Sequence, residues 1–195
     1  MTRTAMALVL YTAGTMAYAA ESQWQLTVYV RTSAVVRSPV LIQAEALAGK
    51  MFGAIGISLE WRTRPSSGES SQPPVFVELA AGMPQTHSPR ALASALPYEG
   101  SHLTVFLDRI EATQYPGLVL AHVLAHEITH LLQGVERHSA TGVMKARWTA
   151  EDYAAMRMGT LPFTPEDVDL IYRGLAVRPR IVAAAACRCS PPTDN

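Results

Sequence analysis

Along residues 24–32, WQLTVYVRT, apolar and polar side chains alternate with a period of two among good strand formers, which predicts a strand with one face on a core. The period then changes. Ser38-Pro39 supplies an N-cap and a first-turn proline, and VLIQAEALAGKMF spaces its apolar residues for a helix that Gly53 ends. ISLEWRT (57–63) and VFVEL (75–79) return to strand, separated by the polar loop RPSSGESSQPP (64–74). Residues 81–101 predict mostly loop, with one helical turn after Ser88-Pro89, and SHLTVFLD (101–108) predicts a fourth strand. Tyr115-Pro116-Gly117 opens a long helix that runs to about Gln133, with Gly134 as its stop. Two short helices follow. Thr149, with Asp152 three residues later, caps one; Thr164-Pro165 opens the other, which has Val168, Ile171, Tyr172 and Leu175 on one face. Strands come first and helices dominate later, so the class is α+β.

Composition sets the bounds of this reading. With 195 residues, 49% hydrophobic and 16% charged, the chain suits one globular domain with a sizeable core. Its formal net charge of zero argues against nucleic acid as a main partner, because phosphate binding needs a basic excess. The beginning, MTRTAMALVLYTAGTMAYAAES, has Arg3 as its only charge before Glu21, a short apolar run over 5–17, and small residues at Ala17 and Ala19. That pattern predicts a signal peptide over 1–20, with the mature chain starting near Ala20 or Glu21, and so a secreted or periplasmic protein without a stable membrane anchor after cleavage. The domain then spans 21–177, and 178–195 is a C-terminal tail. Both cysteines, Cys187 and Cys189, fall in that tail, where a lone C-x-C lacks the partners of a zinc site.

The chemistry concentrates in HEITHLLQGVERHSATGVM (126–144). His126 and His130 stand four apart on the long helix, which puts them on one face with β-carbons about 5–6 Å apart. Both can then reach one zinc ion at about 2.0–2.1 Å. Leu124, Ile128, Leu131 and Val135 form a different stripe that can face the core, so the helix is expected to be two-sided. Glu127 follows the first histidine, where a carboxylate can take a proton from a zinc-activated water without itself binding the metal. A third ligand is needed. His138, just past the turn at Gly134, is the leading candidate; Glu151, Glu136 and His122 are the others. His87 and His102 receive no role.

This stretch resembles the active-site region of the metzincin metalloproteases, whose HExxHxxGxxH motif supplies three zinc-binding histidines and a general-base glutamate above a Met-turn. His126, Glu127 and His130 match directly; His138 resembles the third histidine, and Gly142-Val143-Met144 resembles the Met-turn. The glycine stands one position later than in that motif and the third histidine two. The pattern, with Trp148 nearby, also looks like a set of uncharacterised secreted bacterial proteins. The resemblance implies a metzincin-like fold, in which a small twisted mixed sheet packs on helices and a long active-site helix precedes the Met-turn and C-terminal helices. It also implies Zn2+ held by His126, His130 and His138, with Glu127 as the catalytic base. Tyr153 reads as a core tyrosine, although some relatives use a tyrosine to stabilise an oxyanion.

The expected activity is hydrolysis of peptide bonds in a peptide or protein substrate by a zinc-dependent endopeptidase. Two other classes compete with it. One is a non-catalytic zinc domain in which a fourth protein ligand, Glu136 or His122, closes the site; the other is a metal-free adhesion or scaffold module. Substrate, cleavage preference and oligomeric state are not written in the sequence.

Overall fold

The structure, a computed structural model, describes residues 24–33, 38–64, 72–82, 91–96, 98 and 100–178. The expected signal peptide, the turn after Ser88-Pro89, His87 and the two tail cysteines lie outside the described residues.

Five strands form one mixed sheet: β1 (Trp24–Thr32), β2 (Ile57–Arg62), β3 (Val75–Ala80), β4 (Ala93–Ala95) and β5 (His102–Phe106), in the order β2-β1-β3-β5-β4. β1 runs parallel to β2 and β3, and β3 runs parallel to β5; β4 alone is antiparallel, on the outer edge of β5. Parallel neighbours need long crossovers. The first is supplied by α1 (Ser38–Gly53), which packs against the sheet and along α3 (Pro116–Gln133). Alternate strand residues, Leu26, Val28, Val75, Val77, Leu103 and Val105 among them, are buried against these helices.

Two elements depart from the sequence reading. β4 lies within the stretch expected to be loop, because Ala93-Ser94-Ala95 is short and has no large apolar residues whose alternation would mark a strand. The strand expected over 101–108 ends at Phe106, where the chain turns into the short helix α2 (Leu107–Glu111). Leu107 and Ile110, three apart, are both buried there, which is helical rather than strand spacing.

The long helix α3 ends at Gly134, whose left-handed backbone (φ 67°) sends its N–H back to the His130 carbonyl at 2.9 Å. The helix is two-sided as its stripe predicts, with Leu124, Ile128 and Leu131 in the core and His126 and His130 on another face, but the histidine face is buried too. His122, His126, Thr129 and His130 are buried along with Leu124 and Ile128, because other elements close over the histidine face. Val135, expected in the core stripe, is past the left-handed turn and 38% exposed. α4 (Ala150–Met158) and α5 (Pro165–Val177) complete the fold, each opened by a Thr-x-x-Asp capping box. α5 crosses the last turn of α3 so closely that a Cβ at Gly174 would lie 1.7 Å from the Leu132 carbonyl oxygen. Among the described residues, no helix is long and apolar enough to cross a membrane.

Candidate metal centre and cleft

His126, His130 and His138 converge. Among the described residues they are the one group of three or more histidine, cysteine or acidic side chains whose ligand atoms all lie within 4.8 Å of one another. The ring of His138 lies 5.2 Å from that of His126 and 4.9 Å from that of His130, centroid to centroid. Two rings come from one face of α3; the third comes from the chain after Gly134 has turned it back.

Backbone carbonyls fix the first two rings. His126 Nδ1–H donates to the Val143 carbonyl at 2.8 Å, and His130 Nδ1–H donates to the Val135 carbonyl at 3.1 Å. A carbonyl can only accept, so each Nδ1 carries the proton and each Nε2 presents a lone pair. Those two Nε2 atoms are 3.0 Å apart. Two facing lone pairs at that distance repel unless a cation lies between them, so the donor set fits a metal ion. Burial first, with the neighbouring histidines adding, pulls His126 down to about 4 against the raising effect of the Val143 carbonyl. Burial also lowers His130, so both rings are neutral near pH 7, the form a metal requires.

The other ligand candidates are placed elsewhere. His122 is fully buried with both nitrogens engaged: Nδ1–H donates to the Leu118 carbonyl at 2.7 Å, and Nε2 accepts from the Leu161 N–H at 3.0 Å. It therefore has no lone pair left for a metal and instead ties α3 to the segment before α5. Glu136 is exposed and outside the cluster, and so is Glu151, whose carboxylate is held by Thr149 and its own backbone in the first turn of α4. His102 stacks on Phe76 at 4.8 Å and is not part of the cluster.

Two loops complete the site, and each is clamped by the aspartate of a capping box. Asp167, fully buried at N3 of α5, accepts from the Ser139 hydroxyl at 2.5 Å and from Arg137 at 2.9 Å, the neighbours of His138 on either side. Asp152, at N3 of α4, accepts from Lys145 Nζ at 2.6 Å and from the Thr149 N–H at 2.6 Å, so one carboxylate pins both ends of the segment 145–149. Between the two loops lies the turn at Gly142 (φ 76°), where a Cβ would sit 2.3 Å from the Pro162 carbonyl oxygen. Met144 beside it is fully buried, and its carbonyl accepts from the Ser139 N–H at 2.8 Å.

A cleft of about 550 Å³ opens over the histidines. His126, Glu127 and His138 line its floor; Ala91, Leu92 and Ala93 line one wall, and Lys145, Arg147, Trp148 and Tyr153 the other. Tyr153 is thus not a core residue: it is 37% exposed at the cleft, packed edge-on against Trp148. Trp148 in turn meets the rings of His122 and His126 edge-on. Burial pushes the Glu127 carboxyl up to about 7, against the lowering effect of a hydrogen bond from the Ala95 N–H. Sequence reasoning missed that amide, along with both aspartate clamps and Arg147. The Thr-x-x-Asp signals of the two caps were readable, but not the loops they hold.

The Ala95 contact follows from the register of β4. Leu92 and Leu96 bond to β5 through Phe106 and His102, so the odd positions, Ala93 and Ala95, direct their N–H and C=O away from β5 towards the free edge. Ala95 spends its N–H on Glu127; the amide and carbonyl of Ala93 face the cleft side.

No protein-family model matches the sequence, and no curated protein matches it either. Among solved structures, the archaemetzincin of Archaeoglobus fulgidus, complexed with malonate, is similar with a TM-score of 0.51 at 13% identity, over 74% of this chain and 99% of that one. The archaemetzincin of Methanopyrus kandleri aligns over 80% of this chain and 97% of that one at 14% identity, with a TM-score of 0.48. The likeness shows the fold: an α+β architecture with a mixed five-stranded sheet, metzincin-like in arrangement.

Proposed function

We propose that this chain is a secreted, zinc-dependent metalloendopeptidase in which His126, His130 and His138 hold the metal and Glu127 is the general base. The observation that carries the reading is the pair of Nε2 lone pairs 3.0 Å apart, beside a carboxylate and under an open strand edge. The likeness in fold to the archaemetzincins supports it. Three imidazoles suit zinc. When bound, the ion supplies a Lewis acid that makes a water nucleophilic near neutral pH and polarises the scissile carbonyl.

The chain's own residues do the rest. Glu127 accepts a proton on its carboxylate and returns it to the leaving amine. The Ala95 N–H on β4 favours the charged form of that carboxylate. The outward N–H and C=O of Ala93 can pair with an extended peptide laid along the edge, so that backbone pairing aligns the bond to be cut. The closed-site alternative finds no support, since neither His122 nor Glu136 joins the three histidines.

Export rests on the sequence of residues 1–20. Expressed in a bacterial host, the protein should be recovered outside the cytoplasm with its N-terminus near Ala20 or Glu21. The function is tested by incubating zinc-loaded mature protein with a peptide library and reading new termini by mass spectrometry. Cleavage should stop with a chelator and return with added zinc; a zinc-loaded protein that cuts no member would overturn the reading.

A further inference from the structure

We infer that the cleft selects peptides bearing a carboxylate side chain close to the bond that is cut, with Arg147 as the residue that determines this preference. The inference rests on the reading of the cleft as a peptide site. It starts from the side of the cleft formed by 145–153, where Arg147 and Tyr153 line the cleft.

Arg147 lines the cleft and is exposed, and it has no ion-pair or hydrogen-bond partner among the described residues. The other cations around the site are engaged. Lys145 is paired with Asp152, Arg137 with Asp167 and Glu166, and Arg157 lies over the Tyr115 ring at 5.7 Å. Tyr153 shares the wall, and its hydroxyl has no hydrogen-bond partner among the described residues. The Trp148 indole Nε1–H is buried and equally without an acceptor. Of the two acids in this segment, Asp152 is already occupied by Lys145 and by Thr149, and Glu151 is engaged by Thr149 and its own backbone in the first turn of α4. Ala91, Leu92 and Ala93, on the β4 side of the cleft, are uncharged, and Glu127 on α3 is the one acid among the cleft's lining residues.

Donors left unpaired in a binding cleft call for an acceptor from the ligand. A guanidinium offers parallel N–H groups that match the two oxygens of a carboxylate, which is why arginine and not lysine suits this task. The display is also fixed in advance. Asp152 pins Lys145 and Thr149, so the segment that carries Arg147 at its middle is held at both ends before any ligand arrives. A peptide laid along β4 crosses from Ala93 towards this wall, and a glutamate or aspartate side chain is the group that satisfies it. A lysine or arginine side chain there meets a like charge.

The test uses octapeptide libraries that fix Glu, Gln or Lys at one position at a time, with two readouts. In cleavage by the zinc-loaded parent, Glu at one position should raise kcat/KM about tenfold over Gln, with Lys lowest. In Arg147→Gln that ratio should fall to about one, and in Arg147→Glu the order of Glu and Lys should invert. The second readout is binding of the same libraries to zinc-loaded Glu127→Gln, followed by tryptophan fluorescence, where the Glu pool should bind about tenfold tighter than the Gln pool and lose that advantage when Arg147→Gln is added. Cleavage without any Glu preference overturns this inference and leaves the peptidase standing. A preference that survives both Arg147 variants overturns the assignment to Arg147. Failure to cleave, with the Glu preference in binding intact, overturns the peptidase and leaves the cleft's selectivity standing; no binding by any pool overturns the selectivity as well.

Discussion

The Ser139 hydroxyl donates to the Asp167 carboxylate at 2.5 Å across 28 residues of chain, one residue beyond His138. Arg137, on the other side of His138, reaches the same carboxylate at 2.9 Å. Asp167 thereby holds His138 through its two neighbours without touching it. Asp167→Asn keeps the shape but removes the charge, and we expect zinc affinity to fall about tenfold, the low end for groups that orient metal ligands. Because Asp167 is fully buried, stability should also fall by about 2 kcal/mol. Chelator competition and thermal melts read the two effects; an unchanged zinc affinity in a folded variant would remove the positioning role.

How much of this was legible in the sequence varies with the range of the forces involved. The α+β class, the long helix with its stop at Gly134, and both Thr-x-x-Asp caps are local patterns, and the fold contains them. The close approach of His126 to His130 is also local, being one helical turn. What could not be read is what meets that turn from elsewhere. β4 is three small residues whose strand character comes from pairing with β5. Val135 looked apolar-in because the stripe was extended past a residue that leaves the helix. Asp167 caps α5 through one carboxylate oxygen, while the other serves a loop 28 residues upstream, which no period in the sequence encodes.

His122 and His126 are both buried histidines on one face of α3, yet they should behave oppositely. His126→Ala should lose the metal. His122→Ala should keep about one zinc per chain, because both its nitrogens serve the backbone. It should still lose about 1–3 kcal/mol of stability, since the Leu161 N–H is left buried without its acceptor. Metal analysis of the two purified variants decides the matter; zinc loss in His122→Ala would make it a ligand after all.

The metal-free protein should weaken in mild acid. His126 has its folded pKa depressed to about 4 by burial, below the value of about 6.5 in the unfolded chain. His122 and His130 are lowered as well, burial being the main cause in each. A depressed group contributes stability that is whole above the unfolded pKa and is lost as pH falls towards the folded one. Chelated protein should therefore lose thermal stability between about pH 6.5 and 4, by roughly 3 kcal/mol from His126 alone. A melting temperature that stays flat across that window would contradict the burial of these rings.

Close backbone approach at the end of α3 gives a further expectation. A Cβ on Gly174 would lie 1.7 Å from the Leu132 carbonyl oxygen and 2.8 Å from its carbon, and a backbone neighbour cannot swing aside as a side chain can. Gly174→Ala should force α5 off α3 and cost about 1–3 kcal/mol. Since α5 carries Asp167, zinc affinity should fall with it. A variant as stable as the parent would show that the two helices are not in this contact.

Glu127 and the amide that holds it allow base and positioning to be separated. Glu127→Gln preserves shape but cannot take a proton, so kcat should fall by at least roughly 100-fold while zinc content stays the same. Ala95→Pro acts one step away. The Ala95 N–H points to the free edge and not to β5, and proline is tolerated on an edge strand where no ladder bond is lost. Removing that N–H takes away the hydrogen bond that lowers the Glu127 pKa, while the burial that raises it remains. The Glu127 pKa should then rise from about 7, and the acid limb of the kcat/KM profile should move to higher pH with zinc content unchanged. The sign is fixed by the chemistry: a base that holds its proton more tightly needs a higher pH to lose it. An acid limb that stays in place in a folded, zinc-loaded Ala95→Pro protein would mean that β4 does not set the base. A residual activity of Glu127→Gln that keeps the parent's acid limb would assign the limb to another group.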